Sequence, residues 1–360
     1  MKHVHIYILI IIVSFTGCIE PPSGPEDSPV QESYNGAYIL CEGLWGLDNS
    51  SLSRYEFESK SVSQYVYKSA NNGQKLGDLA SDFVVHNDYA LITVTTTRII
   101  EKIELKSGKS LGRMLFADGR APRKITVIND SLAAVTDLLN HLITFFNPGN
   151  LQIIKDSVFV GPAPEGIATA GEVLLVVNSG YGDYLADAPK AGTISVVSIN
   201  TMQEIGNFYV GPNPIEILIN KKYNKFYVSY NNLPSAADSI GGIVEFDLNN
   251  LTETARLRTN VRSMTLSNSG DSLLFISDST VSYIDLRQNF KKHKLIVNQN
   301  PSDIWYALAC SMGGNIWIGN AKNYQINGEL LIYKQNSYDA PAEKHTVGIN
   351  PNKIVFYNKK

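Results

Sequence analysis

The sequence predicts an all-β fold, a seven-bladed β-propeller whose last strand closes its first blade. A short apolar strand set behind a turn, often led by proline, recurs seven times, at Ala80–Val85, Pro122–Val127, Pro164–Thr169, Pro214–Ile219, Val261–Leu266, Pro301–Tyr306 and Pro351–Phe356. These starts lie 42, 42, 50, 47, 40 and 50 residues apart, the period of a multi-stranded propeller unit. The ends of the array are complementary. It opens on a second strand, Ala37–Glu42, with no first strand ahead of it, and closes on a first strand, Pro351–Tyr357, with no second behind it. Together they make one blade, which removes the open sheet edges that invite aggregation.

Composition agrees with one large domain. Of 360 residues, 44% are hydrophobic and only 18% charged, enough for a substantial core and too apolar for a disordered chain. The formal net charge is −3, and lysine and arginine are scattered rather than banded, which excludes nucleic acid as a partner.

The first element is a targeting segment. Lys2 precedes an apolar run, Val4–Val13, that is too short to span a bilayer. Ser14-Phe15-Thr16-Gly17-Cys18 resembles a bacterial lipoprotein processing site. Residues 1–17 then read as a signal peptide and Cys18 as the lipidated residue, whose several acyl chains give stable anchoring. Residues 18–35 are Pro-rich, acidic and unpatterned, a tether for the propeller at 36–360. Acidic residues behind the cysteine are similar to surface-export signals of Bacteroidetes-type lipoproteins. The implied location is the outer membrane, at the cell surface and lipid-anchored.

Blade four shows the unit most clearly. Pro164–Ala170 is the innermost strand A, Gly171-Glu172 a hairpin, Val173–Asn178 strand B, Thr193–Ile199 strand C and Glu204–Val210 the outer strand D. Proline suits the start of strand A because it fixes φ and has no N–H to place in the ladder. Strands that alternate in direction put the B–C and D–A loops on one face, here called upper, and the A–B and C–D loops on the lower. Cys41 then lies near the upper rim and Cys310 near the lower. A strand of roughly 17 Å separates them, beyond the roughly 7 Å reach of a disulfide, so two mostly buried thiols are expected.

The lower A–B hairpins are terse, such as Asn87-Asp88, Asn129-Asp130 and Gly313-Gly314, and read as turn chemistry. The upper B–C loops are unequal. Those of blades one (42–49), four (178–192), five (230–242) and seven (320–328) are long and rich in Tyr, Trp, Asn and Asp. Aromatic side chains give rigid contact area, and Asn and Asp give hydrogen bonds, so this face suits recognition. Trp45, Asp48, Asn49, Tyr181, Asp183, Tyr184, Tyr230 and Tyr324 are the expected ligand contacts. Single aromatics such as Trp45 and Tyr184 could instead cover neighbouring blades. Arg123, Glu165, Glu216, Arg262 and Asp303 stand at the turns into strand A, around the channel mouth, where they could pair with one another or meet a polar ligand.

No paired-His metal spacing, Gly-x-Ser-x-Gly elbow or Cys-x-x-Cys-His site occurs. His86, His141, His293 and His345 fall in different blades, and no spacing of acids selects a metal set. The sequence reads as a binder with no cofactor, not an enzyme.

Val160-Gly-Pro-Ala-Pro164, Val210-Gly-Pro-Asn-Pro214 and Val347-Gly-Ile-Asn-Pro351 resemble the YVTN/YncE-like propeller repeat. The opening Leu40-Cys-Glu-Gly-Leu-Trp-Gly-Leu-Asp-Asn-Ser-Ser-Leu52, with Leu76-Gly-Asp-Leu-Ala-Ser-Asp82, is similar to a family of Bacteroidetes surface lipoprotein propellers that includes the cobalamin-binding BtuG. That resemblance implies a large polar ligand, a corrinoid, captured for a TonB-dependent outer-membrane transporter. Cys41 stands where that family has Asn. Two other readings remain open at this point: a scaffold propeller binding a protein or cell-wall polymer, and a lactonase- or quinoprotein-like enzyme.

Overall fold

The computed structural model describes residues 35–236 and 240–358; the expected signal peptide, Cys18 and the tether up to residue 34 lie outside the described residues. Among the described residues there are seven four-stranded antiparallel sheets. Blade one holds β1 (Gly36–Cys41), β2 (Ser51–Glu56) and the short β3 (Ser61–Ser63), followed by a helical turn, α1 (Val66–Ala70). Blade two is β4 (Ala80–His86), β5 (Tyr89–Val94), β6 (Ile99–Glu104) and β7 (Ser110–Leu115). Blade three is β8 (Pro122–Asn129), β9 (Leu132–Asp137), β10 (Leu142–Phe146) and β11 (Ile153–Phe159). Blade four is β12 (Pro164–Ala170), β13 (Val173–Asn178), β14 (Thr193–Ser198) and β15 (Gln203–Tyr209). Blade five is β16 (Pro214–Asn220), β17 (Lys225–Tyr230), β18 (Gly242–Asp247) and β19 (Glu253–Arg258). Blade six is β20 (Ser263–Leu266), β21 (Ser272–Ser277), β22 (Thr280–Asp285) and β23 (Lys292–Val297). Blade seven is β24 (Trp305–Cys310), β25 (Ile316–Asn320), β26 (Asn327–Tyr333) and β27 (Glu343–Ile349).

The last strand, β28 (Pro351–Tyr357), pairs with β1 and completes blade one, in the order β28-β1-β2-β3. Ile39 faces Ile354 across this seam, and Tyr38 faces Val355. Period-two alternation decides where each side chain goes. Tyr38 and Leu40 join the cluster with Phe83 and Ile92 of blade two, whereas Ala37, Ile39 and Cys41 join Trp317 and Leu330 of blade seven. A strand buried on both faces therefore reads as an unbroken apolar run. Each blade–blade interface has its own apolar cluster of this kind. At the seam Trp317 meets Tyr55 and Phe356 edge-on, with ring centroids 5.0 and 5.1 Å apart.

Prolines open β8, β12, β16 and β28 as expected. Pro301 does not open a strand. Asn300-Pro301-Ser302-Asp303 is a turn, closed by Asp303 N–H to the Asn300 carbonyl (3.0 Å), and the inner strand starts four residues later at Trp305. Proline after asparagine suits the second position of such a turn as well as a strand start. In blade six the inner strand starts at Ser263 rather than Val261. Among the described residues, Cys41 and Cys310 form no disulfide. Cys41 is fully buried, and burial pushes its thiol up to about 12. Cys310 is half-buried rather than mostly buried, because it borders a lower-face cleft between blades six and seven.

Removing residues 351–360 should open the ring. It deletes the β28 ladder and buried Ile354 and Tyr357, each worth about 1.5–3 kcal/mol in burial alone. A fall in Tm of about 10 °C or more, or loss of soluble protein, is expected in thermal unfolding. An unchanged Tm would show that the seam does not hold the ring.

Candidate functional site

The candidate site begins with a backbone irregularity. β4, β8, β12, β16, β24 and β28 each shift register by one residue near their upper end, a β-bulge at the start of the innermost strand. A bulge sets two successive residues against one partner and re-aims their side chains. Successive residues thus occupy two levels of the ring, one at the mouth and one deeper in the channel.

At the mouth, the first level is a belt of polar contacts. Arg123 Nε donates to Glu165 Oε2 (2.9 Å) and its Nη1 to Ser81 Oγ (3.0 Å). Glu42 lies 3.9 Å from the same guanidinium and accepts the Tyr306 hydroxyl (2.9 Å). Burial works against the Arg123 charge, but Glu165 and Glu42 outweigh it and hold the pKa above the ordinary arginine value. Burial, with Glu42 beside it, pushes the Tyr306 phenol up, so it remains a hydrogen-bond donor. The Tyr306 ring meets Tyr324 edge-on at 5.6 Å, and the Tyr324 hydroxyl bonds Arg262.

Beside this belt is a cavity of about 630 Å³, within the size range of small-molecule sites. Glu42 and Trp45 line it from blade one, Thr95, Thr96 and Arg98 from blade two, Leu138 and Leu139 from blade three and Tyr181 from blade four. Leu79 and the segment Gly119–Ala121 complete the wall from D–A loops. Every loop lining it is thus of the B–C or D–A type, the face that the chain order assigns as upper. Trp45 is 78% exposed and Tyr181 56% exposed, so both rings leave area open at the cavity.

The loops that present these rings are tied down. Leu44 N–H donates to Asn49 Oδ1 (2.7 Å), and Gly46 N–H to Asp78 Oδ2 (2.9 Å). Asp183 accepts both the backbone N–H (2.9 Å) and the hydroxyl (2.7 Å) of Ser235, joining the blade-four and blade-five loops. Asn49 and Asp183 therefore fasten loops, and Asp48 pairs with Lys75 at 3.2 Å on the outer side of blade one. Tyr184 is 81% exposed and packs edge-on to Tyr181 at 6.4 Å. Tyr230 ends β17, where it is buried with Arg256 over its ring at 5.2 Å. Asp303 faces Lys322 at 3.5 Å.

Of the expected residues, Trp45, Tyr181 and Arg123 share the cavity, while Glu165 borders it through Arg123. Glu42, Arg98, Arg120 and Tyr306 were not among the expected residues. The polar opening of strand A hinted at Tyr306, but no spacing pointed to the arginines.

Glu216 lies on the second level, in a channel cavity of about 150 Å³ with Asp82, Lys124 and Lys353. Each of these four stands two residues after the first residue of its inner strand, a pattern visible once the strands are aligned. Lys353 pairs with Asp82 at 3.0 Å, Lys124 Nζ donates to the Ser81 carbonyl (2.7 Å), and Glu216 accepts the Met264 N–H (2.9 Å). Burial raises the Asp82 carboxyl, but Lys353 and Lys124 outweigh it and bring it below its ordinary value. For Glu216 burial wins over the two lysines and raises its pKa above the ordinary 4.5. Among the described residues, no group of three or more His, Cys, Asp or Glu is placed to hold a metal ion. No helix among them is long and apolar enough to cross a membrane.

Fold and site together define a seven-bladed propeller with one elaborated face. Residues 35–204 match the model of a family described as a domain of unknown function (DUF5074). No curated protein matches the chain. Among solved structures, the chain is similar to a quinonprotein alcohol dehydrogenase-like protein from Bacteroides thetaiotaomicron, at TM-score 0.68 and 15% identity over 91% of this chain and 79% of that one. It is also similar to a functionally unknown protein from Desulfotomaculum acetoxidans, at TM-score 0.64 and 16% identity over 91% and 100% of the two chains. A third likeness is to hydrazine synthase from Kuenenia stuttgartiensis, at TM-score 0.57 and 15% identity over 68% and 73%. At these identities the likeness is one of fold.

Glu216 gives a pH test with a definite sign. A raised carboxyl pKa means the folded state holds the proton more tightly than the unfolded state, so stability is lost as pH rises from the ordinary value through the folded one. E216Q mimics the protonated form. Its Tm should match wild type near pH 4 and exceed it at pH 8. A Tm difference that does not change with pH would contradict the burial argument.

Proposed function

We propose that the protein is a cell-envelope binding propeller that takes a large polar ligand on its upper face, between the blade-one and blade-four loops. The observation that carries this reading is the roughly 630 Å³ cavity flanked by two exposed rings, Trp45 and Tyr181, on loops fixed by their own hydrogen bonds. Pre-fixed aromatic contacts lose little entropy on binding. The protein acts by capture rather than by chemistry on the ligand.

A corrinoid is the proposed ligand, and a TonB-dependent outer-membrane transporter the proposed recipient. Support comes from the blade-one opening, residues 40–52, whose Trp45 is the ring presented at the cavity. Lipidation at Cys18 and a tether over residues 18–35 would hold the propeller at the membrane. β1 starts at the lower end of blade one, so the chain enters the ring on the side away from the cavity.

Calorimetric titration of residues 36–360 with cobalamin should give measurable heat at micromolar protein. W45A combined with Y181A should weaken binding by about tenfold or more, as loss of two buried ring contacts implies. No heat and no change in the cobalamin spectrum would overturn the corrinoid assignment.

A further inference from the structure

We infer that the ligand of the upper-face cavity is a ring-bearing organic anion, whose acid group displaces Asp118 from Arg98; the inference rests on that cavity being the binding site. Three guanidinium groups line the cavity, from Arg98, Arg120 and Arg123. Two of them are committed to the fold. Arg120 bonds Asp137 and Asp156 and donates to Thr144 Oγ1 (2.7 Å). Arg123 is held between Glu165 and Ser81. Asp137 and Glu165 are buried, so removing either arginine would strand a buried carboxylate, which is strongly unfavourable.

Arg98 is held differently. Its carboxylate partner is Asp118, on the loop between β7 and β8, with a side chain 97% exposed. An exposed pair of this kind is weak and screened by salt, and Asp118 returns to water at little cost. Arg98 can therefore exchange one carboxylate for another. A guanidinium takes a carboxylate, sulfonate or phosphate through paired N–H groups, which makes it an orienting contact as well as a charge.

Arg98 presents a cation, while Trp45 and Tyr181 present ring faces to the same space. A flat or ring-bearing body carrying an acid group would meet both.

The test compares two dyes in fluorescence titrations of the intact protein: anilinonaphthalene sulfonate and the neutral phenylnaphthylamine, which differ by the sulfonate. R98Q should weaken the anionic dye about tenfold, the scale of one charge-assisted contact, and leave the neutral dye unchanged. D118N should tighten the anionic dye about threefold by removing the competing carboxylate. W45A should weaken both dyes. Failure of wild type to bind the anionic dye, an R98Q effect that is absent or equal for both dyes, no tightening in D118N, or no effect of W45A would each overturn the inference. Absence of cobalamin binding alongside the expected dye pattern would remove the corrinoid reading alone.

Discussion

Pairing of β28 with β1 is the constraint on which the other features depend. Each sheet packs only against its two neighbours, so an open array would leave the flanks of blades one and seven in water. The seam joins residues separated by most of the chain and buries Trp317, Tyr55 and Ile354 in one cluster. It also places two charges. Lys353, on β28, reaches Asp82 in the channel, and Glu42, just beyond β1, accepts from Tyr306 of blade seven. Without the seam Asp82 would lose Lys353, and Tyr306 and Arg123 would lose Glu42.

The bulges turn that closed ring into a site. A regular inner strand would aim every second side chain at the channel and the rest into blade contacts. The extra residue lets neighbours diverge, so Arg123 serves the mouth while Lys124 serves the channel. The charges nearest the mouth are paired with one another across blade boundaries, which makes them braces between blades. The exposed rings stand on the loops above. There the polar cross-bonds of Asn49, Asp78 and Asp183 fix the loops, and the rings of Trp45 and Tyr181 stand out from them.

Most of the fold was legible because its signals are local and repeat. Pro122, Pro164, Pro214 and Pro351 mark inner strands, and blade four was read to within a residue at each strand end. Pro301 misled because proline serves a turn after Asn300 as well as a strand start. The turn α1 and the three-residue β3 were not foreseen, since blade one lacks the long outer strand of the others. The site was less legible. Tyr230 looks like a loop residue by its place in the chain, yet it ends a strand and is buried under Arg256. Asn49 and Asp183 have the chemistry of ligand contacts, but the same groups cap turns and join loops. Arg98 and Arg120 come together only through the curvature of the ring, which no spacing encodes.

Unequal loops stand here over a uniform ring. The lower hairpins are short and the blade clusters are continuous, so exposed upper-loop rings such as Trp45 and Tyr184 contribute little to the core. Hydrogen–deuterium exchange with and without cobalamin tests upper-face capture most directly. Slowed exchange confined to the upper loops at 43–49 and 179–192 is the predicted result. No slowing, or slowing at the lower hairpins Asn87-Asp88 and Gly171-Glu172, would contradict it.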